Sequence, residues 1–238
     1  MCRIRRRPRR WRRRATRTAP SVPPLETNYY EAFNRDSVSV VDVKTTPIDE
    51  ITETGVRVGD RVYEVDTIVL ATGFDAMTGP LMAMDIRGRG GLPLAEKWEH
   101  GPKTYLGIMV NEFPNLFLIT GPQSPSVLYN MPLAIEDHVD FATDAIDYLD
   151  RRNLDVIEPT AQAESDWGAL TNDIANQTLL PETNSWYMGA NIPGKPRACM
   201  VYLGGAPTYR ATCDEVVAGG YSGFALTRAE ARVTSTVS

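Results

Sequence analysis

Two apolar runs, each closed by Thr-Gly, constrain this chain more than any other feature. Asp66-Thr67-Ile68-Val69-Leu70-Ala71 leads into Thr72-Gly73, and Leu116-Phe117-Leu118-Ile119 leads into Thr120-Gly121-Pro122. Both runs are too short for a helix and apolar at successive rather than alternate positions. That pattern predicts strands of a parallel sheet covered on both faces. A further β-branched run, Ser37-Val38-Ser39-Val40-Val41, predicts another buried strand. Gly55 to Val58 and Arg61 to Glu64 flank Gly59-Asp60 and predict a hairpin with a tight turn.

Helical patterns alternate with these strands. Over residues 132–151, Ile135, Val139, Ala142, Ile146 and Leu149 recur at helical spacing and predict one apolar stripe. Aspartates and Glu136 fill the remaining surface, which reads as a solvated acidic face. His138 lies among them and reads as a surface residue. A second helix is expected after Thr160 as N-cap, with Trp167, Leu170 and Ile174 on one side. A third is expected from Pro207 to Val217, ending at Gly219-Gly220. Alternating strand and helix define an α/β chain.

Charge divides the sequence sharply. Residues 1–25 hold ten arginines and no acid, leaving 15 basic against 30 acidic side chains in the other 213 residues. The head has no apolar core of the kind a signal peptide needs. It admits three readings: an arm for nucleic acid or anionic membrane, a transit peptide, or an out-of-frame or mis-started stretch of a GC-rich gene. The amphipathicity of a transit peptide is absent. The out-of-frame reading accounts best for Arg, Pro, Ala, Trp and Thr together. A composition of 42% hydrophobic and 23% charged residues excludes a wholly disordered, collagen-like or coiled-coil chain. No apolar run is long enough to span a membrane. Residues 227–238, rich in Ser, Thr and Ala, are expected to form a disordered tail.

Cys2, Cys199 and Cys213 are odd in number and lack CxxC spacing, which points to reduced thiols in a cytoplasmic setting, not a disulfide framework or metal site. With only His100 and His138, no metal cluster or Ser/His/Asp motif is expected. The chemistry is expected instead at the strand ends, where ligands of doubly wound sheets sit. There Ala71-Thr72-Gly73-Phe74-Asp75 reads equally as a permissive turn or as backbone approaching a cofactor. Ser185-Trp186-Tyr187, followed by Gly189 to Pro196, combines aromatics, glycine, amide and lysine in a way that suits a planar or phosphorylated ligand. No GxGxxG occurs, so a complete dinucleotide site is not expected.

These segments carry a family likeness. From Pro23 to about Leu226 the chain resembles the C-terminal half of Baeyer–Villiger monooxygenases of the cyclohexanone and phenylacetone type. The matching segments are Tyr29-Tyr30-Glu31 with Phe33-Asn34-Arg35-Asp36, then Ala71 to Ala76, and Asp85-Ile86-Arg87-Gly88. Gly121-Pro122 through Asn130-Met131 and Ser185-Trp186-Tyr187 through Lys195 complete them. The resemblance implies FAD and NADPH as cofactors, with O2 trapped as a flavin peroxide that converts a ketone to an ester or lactone. It implies incomplete Rossmann-like domains: residues 23–74 ending the NADP domain and residues 75–226 continuing the FAD domain. Met131 is implied to lie against the flavin and Trp186 to contact NADP. Thr72, Gly73, Asn130 and Lys195 are implied cofactor contacts, and Ser126, Val127, Leu128 and Tyr129 a wall of the substrate pocket.

The chain also departs from that family. Ser21-Val22 stand where the family has Lys-Arg, so the arginine that stabilises the peroxide falls on Val22. Both glycine-rich phosphate turns and the FxGxxxHxxxW signature are missing. The expectation is therefore a fragment with a non-homologous head over residues 1–22, inactive alone and with no catalytic residue of its own. Two alternatives remain. One is a flavin monooxygenase oxidising nitrogen or sulfur, and the other a non-enzymatic module with a nucleic-acid-binding arm.

Overall fold

A computed structural model describes residues 27–190 and 192–228. The Arg-rich head, Cys2, Val22, Asn191 and the tail beyond Arg228 lie outside the described residues. The first of two compact units ends at Phe74 and the second begins at Asp75.

The expected hairpin forms in the first unit. A short helix α1 (Tyr29–Ala32) is followed by three antiparallel strands, β1 (Glu50–Thr52), β2 (Gly55–Val58) and β3 (Arg61–Glu64), paired in that order. Gly59, at φ +59°, makes the turn between β2 and β3 in a backbone region that favours glycine. Its N–H is held by the Asp49 carboxylate at 2.6 Å. Residues 37–41 and 66–71, by contrast, form no strand. Val69, Leu70 and Phe74 are 82%, 76% and 92% exposed. A doubly covered strand needs neighbours on both edges and helices on both faces. Among the described residues nothing pairs with residues 66–71, so the apolar pattern stands without the sheet it specifies.

This bare segment carries the first prediction. Extended, unpaired and apolar backbone invites edge-to-edge association. Replacing Val69 by Thr together with Leu70 by Ser should slow aggregation several-fold by light scattering. Unchanged scattering would locate the liability elsewhere.

In the second unit, short helices α2 (Gly79–Ala83) and α3 (Leu94–Lys97) precede the long helix α4 (Met131–Arg152). Strand β4 (Val156–Pro159), α5 (Ala161–Asn176), α6 (Ala206–Ala218) and β5 (Phe224–Thr227) follow. Strands β4 and β5 pair antiparallel, from Val156 opposite Thr227 to Pro159 opposite Phe224. Thr227, expected in a disordered tail, is thus part of a strand. Residues 116–119 contribute only a bridge from Phe117 to Met109 and a Leu118 N–H bond to the Ile108 carbonyl at 2.7 Å. Helix and sheet are mixed, but every strand pairing formed among the described residues is antiparallel.

The helices begin and end where local chemistry dictates. Thr160 caps α5, its hydroxyl accepting the Ala163 N–H at 3.2 Å, and Gly219 caps the end of α6. Helix α4 starts on the Asn130 side chain and ends at Asn153, at φ +54°. Its buried face is turned by one position from the expected stripe, and only Leu149 is common to both. Ala134, His138, Phe141, Ala145 and Leu149 are inside, while Ile135, Val139 and Ile146 remain 41–52% exposed. The deciding contacts are aromatic: Phe141 meets Tyr221 edge-on at 5.5 Å, and His138 lies against Tyr209 at 5.8 Å. His138 is therefore a core residue. Around this helix face the main core gathers Leu106, Ile108, Met109, Ile157, Trp167 and Tyr209.

No helix among the described residues is long and apolar enough to cross a membrane. Cys199 and Cys213 are free. Burial pushes the Cys199 thiol up, and the Cys213 thiol up to about 12, so neither supplies a thiolate at neutral pH.

Candidate functional site

The segment after the second Thr-Gly is the most tightly held loop of the second unit. Residues 121–126 are all buried. Gln123 is bonded through three groups: its N–H donates to the Met200 carbonyl at 2.9 Å, and its carbonyl accepts the Trp167 indole N–H at 3.1 Å. Its side-chain oxygen accepts the Thr104 N–H at 3.0 Å. On either side, the Thr104 hydroxyl donates to the Pro122 carbonyl at 2.9 Å and the Ser124 carbonyl accepts the Tyr202 N–H at 2.8 Å. Two backbones meet beneath this loop. A Cβ on Gly107 would lie 2.4 Å from the Ser124 nitrogen, and one on Gly121 would lie 2.6 Å from the Gly107 carbonyl oxygen. Only glycine permits that crossing.

The loop delivers several of the expected site residues to one stretch of chain. Ser126 is buried, with its hydroxyl 3.8 Å from the Met77 sulfur; Leu128 is exposed and Tyr129 half-buried. Val127 belongs to the same short 3-10 turn, Ser126–Leu128. Asn130 is exposed and caps α4, accepting the Leu133 N–H at 3.4 Å, and Met131 is the first, half-buried residue of that helix.

The aromatic loop is separately built. The Ser185 hydroxyl accepts the Tyr187 N–H at 3.2 Å and starts the short turn Trp186–Met188. Tyr187 and Met188 are buried, while Trp186 is half-buried with its ring 4.1 Å from that of Tyr187. Gly189 ends the turn at φ +68°, where a Cβ would lie 2.5 Å from the Pro196 carbonyl oxygen. The Lys195 ammonium pairs with the Asp75 carboxylate and donates to the Ala76 carbonyl at 3.1 Å. Its charge is satisfied inside the unit, and a phosphate would have to displace these partners. Thr72 and Gly73 are exposed in the first unit.

Gly107, Gln123 and Tyr209 were not singled out in the sequence, and Trp167 only as part of a helix's apolar side, although Gln123 and Trp167 fasten the loop and Gly107 lies beneath it. The available signal was slight: a glycine inside Leu106-Gly107-Ile108-Met109-Val110, an apolar run that reads as a plain strand. Among the described residues no group of His, Cys, Asp and Glu is arranged to hold a metal ion.

Comparison with known proteins relates this chain to the Baeyer–Villiger monooxygenases. The acetone monooxygenase (methyl acetate-forming) of Gordonia sp. (strain TY-5) is 44% identical over 205 residues, covering 85% of this chain and 38% of that enzyme. A closed crystal structure of cyclohexanone monooxygenase superposes with a TM-score of 0.82 at 43% identity, covering 86% of this chain and 38% of the other. The crystal structure of OTEMO complexed with FAD and NADP superposes at 0.81 with 38% identity, covering 86% and 37%. No protein-family model matches the chain. The chain is thus a homologue of the Baeyer–Villiger monooxygenases and spans about 38% of the length of the relatives it matches.

No glycine-rich phosphate turn is present, Lys195 is already paired, and Thr72, Gly73 and Asn130 lie open to solvent. Among the described residues no complete FAD or NADP site is formed.

Proposed function

We propose that this chain is the C-terminal part of an FAD- and NADPH-dependent Baeyer–Villiger monooxygenase. The overall reaction converts ketone, O2, NADPH and a proton to ester or lactone, NADP+ and water. One oxygen atom enters the bond between the carbonyl carbon and its neighbour. In such an enzyme the nicotinamide supplies hydride and the flavin activates oxygen. The observation that carries this reading is the joint likeness in sequence and fold over about 85% of the chain.

Within the whole enzyme, residues 23–74 complete a Rossmann-like NADP domain and residues 75–226 the FAD domain. Met131, at the head of α4, lies against the flavin, with Asn130 beside it. Trp186 contacts NADP, and Lys195 turns from Asp75 toward the cofactor. Thr72 and Gly73 form the crossing between domains. Ser126, Val127, Leu128 and Tyr129 line the ketone pocket. Support comes from the rigid support of the loop that ends in these residues and from the resemblance of the segments themselves. The compartment is the cytoplasm, in keeping with free thiols and an acidic body. The charge-stabilising arginine is not supplied by this chain, whose matching position is Val22.

Two measurements test this. The purified chain should carry no flavin absorbance and show no ketone-dependent NADPH consumption; retained FAD would overturn the reading of an incomplete site. Placing residues 23–228 in the Gordonia acetone monooxygenase, in exchange for its own matching segment, should give a chimera that binds flavin, consumes NADPH and releases ester from a small ketone. A flavin-bearing chimera that oxidises an amine or sulfide but forms no ester would favour nitrogen or sulfur chemistry instead.

A further inference from the structure

We propose that His138 is a positioning residue that holds the loop over residues 120–126 in place only while its ring is neutral. Three hydrogen bonds in series set its protonation. The Thr120 N–H donates to His138 Nδ1 at 2.9 Å, so that nitrogen carries a lone pair. His138 Nε2 lies 2.7 Å from the Tyr209 hydroxyl, which lies 2.6 Å from the Leu106 carbonyl. The carbonyl only accepts, so the phenol proton points to Leu106 and the ring proton sits on Nε2. Each donor then has one acceptor, and the neutral tautomer is the one that fits.

Adding a proton leaves Nδ1 nothing to accept with, and two N–H groups would face each other at Thr120. A second acceptor is already beside the ring: the Leu118 carbonyl, 3.4 Å from Nδ1. The protonated ring can exchange Thr120 for Leu118, two residues away on the same run. That exchange frees the Thr120 N–H, the first fastening of the loop. The remaining fastenings, at Gln123 and Ser124, lie beyond it.

The surrounding charges are few. Helix α4 contributes Asp137, which pairs with Arg210 of α6 at 2.7 Å. Asp140, Asp144 and Asp214 complete the cleft between these helices. Helix α6 adds Tyr209 and Cys213, both held protonated by burial. The 105–109 turn adds Tyr105, also raised by burial, whereas α5 offers Tyr209 only the Trp167 ring and residues 116–120 carry no ionisable side chain. Burial lowers the affinity of His138 for a proton more than Asp137 raises it. The unfolded ring takes its proton near 6.5, and the folded ring at lower pH. Stability from this network is therefore full above that value and lost as the pH falls through the folded one.

As a role beside a flavin this rests on the proposed function, but the latch is testable in the chain as it stands. Nitrogen-15 NMR of the imidazole should show the Nε2–H tautomer at pH 7.5. On acidification, the Thr120, Gly121 and Gln123 amides and the Trp167 indole should shift together with the ring, while amides along α5 do not. Exchange of the Thr120 amide should rise about tenfold or more. His138→Asn keeps an acceptor for Thr120 and cannot titrate, so it should abolish this pH dependence. His138→Gln keeps the donor to Tyr209 and should leave Thr120 exchanging fast at every pH. A Thr120 amide indifferent to the ring, or loss of all amides in the same step, would overturn the latch. In a flavin-bearing chimera, His138→Asn should move the acid limb of the pH profile. If the chimera forms no ester, the enzyme reading fails while the NMR result stands.

Discussion

Replacing Gly107 by alanine is expected to destabilise the second unit by about 3 kcal/mol, from two independent sources. Gly107 sits at φ +71°, a left-handed backbone that costs an L-residue roughly 1–2 kcal/mol. The new Cβ would also lie 2.4 Å from the Ser124 nitrogen and 2.5 Å from its Cβ. These atoms belong to a loop fixed by Gln123 and Tyr202, so relief requires moving backbone, adding about 1–3 kcal/mol. A unit of this size should lose roughly 6–12 °C in Tm. Gly91→Ala is the matched control: at φ +81° it has the same backbone conflict, but nothing lies within 4 Å of its Cβ. It should lose only the first contribution. Equal losses in urea titrations of the two variants would show that the crossing beneath the loop is looser than its geometry.

Gly107 also marks where sequence reading ran out. Caps and turns were legible because they depend on a few adjacent residues: Thr160, Gly59-Asp60 and Gly219 act where expected. The extent of α4 was legible for the same reason, but its inward face was not. Ile135, Val139 and Ile146 form a more apolar stripe than Ala134, His138 and Ala145, yet Phe141 and the rings of Tyr209 and Tyr221 decide the orientation. A buried histidine is invisible without the amide and phenol that satisfy it. Residues 66–71 show the opposite case. Their pattern specifies a strand inside a sheet, but they form none, and among the described residues nothing pairs with them. Strands β4 and β5 went unpredicted because Glu158, Pro159 and the glycines before Phe224 dilute any periodicity. Asn130-Met131 and Trp186 enter as proposed site residues through family likeness alone, whereas the residues that fasten the 121–126 loop belong to distant elements.

The second large effect is expected at Glu164, which faces two needs at once. Its carboxylate accepts the Asn111 N–H at 2.8 Å and pairs with the Lys97 ammonium at 3.2 Å; both side chains are largely buried. Beside it, Glu158 accepts the Glu112 N–H at 2.8 Å and the Arg89 side chain at 2.7 Å. Two carboxylates from α5 and β4 thus hold consecutive amides of the turn that precedes residues 116–120. Glu164→Ala leaves the Asn111 N–H without its acceptor and removes one of the two partners of Lys97, at a cost of about 3–5 kcal/mol. Glu164→Gln keeps the acceptor and should lose far less. Burial holds the Glu164 carboxyl above the usual range despite Lys97, so the folded chain binds that proton more tightly than the unfolded one. The stabilisation this gives is full below the unfolded carboxyl pKa and disappears as pH rises through the folded value. Glutamine, which does not ionise, escapes that loss. The gap between Glu164→Gln and the parent should therefore move in favour of glutamine from pH 4 to pH 8 in denaturant titrations. A shift the other way would mean that Lys97 outweighs burial and the pair is a net source of stability.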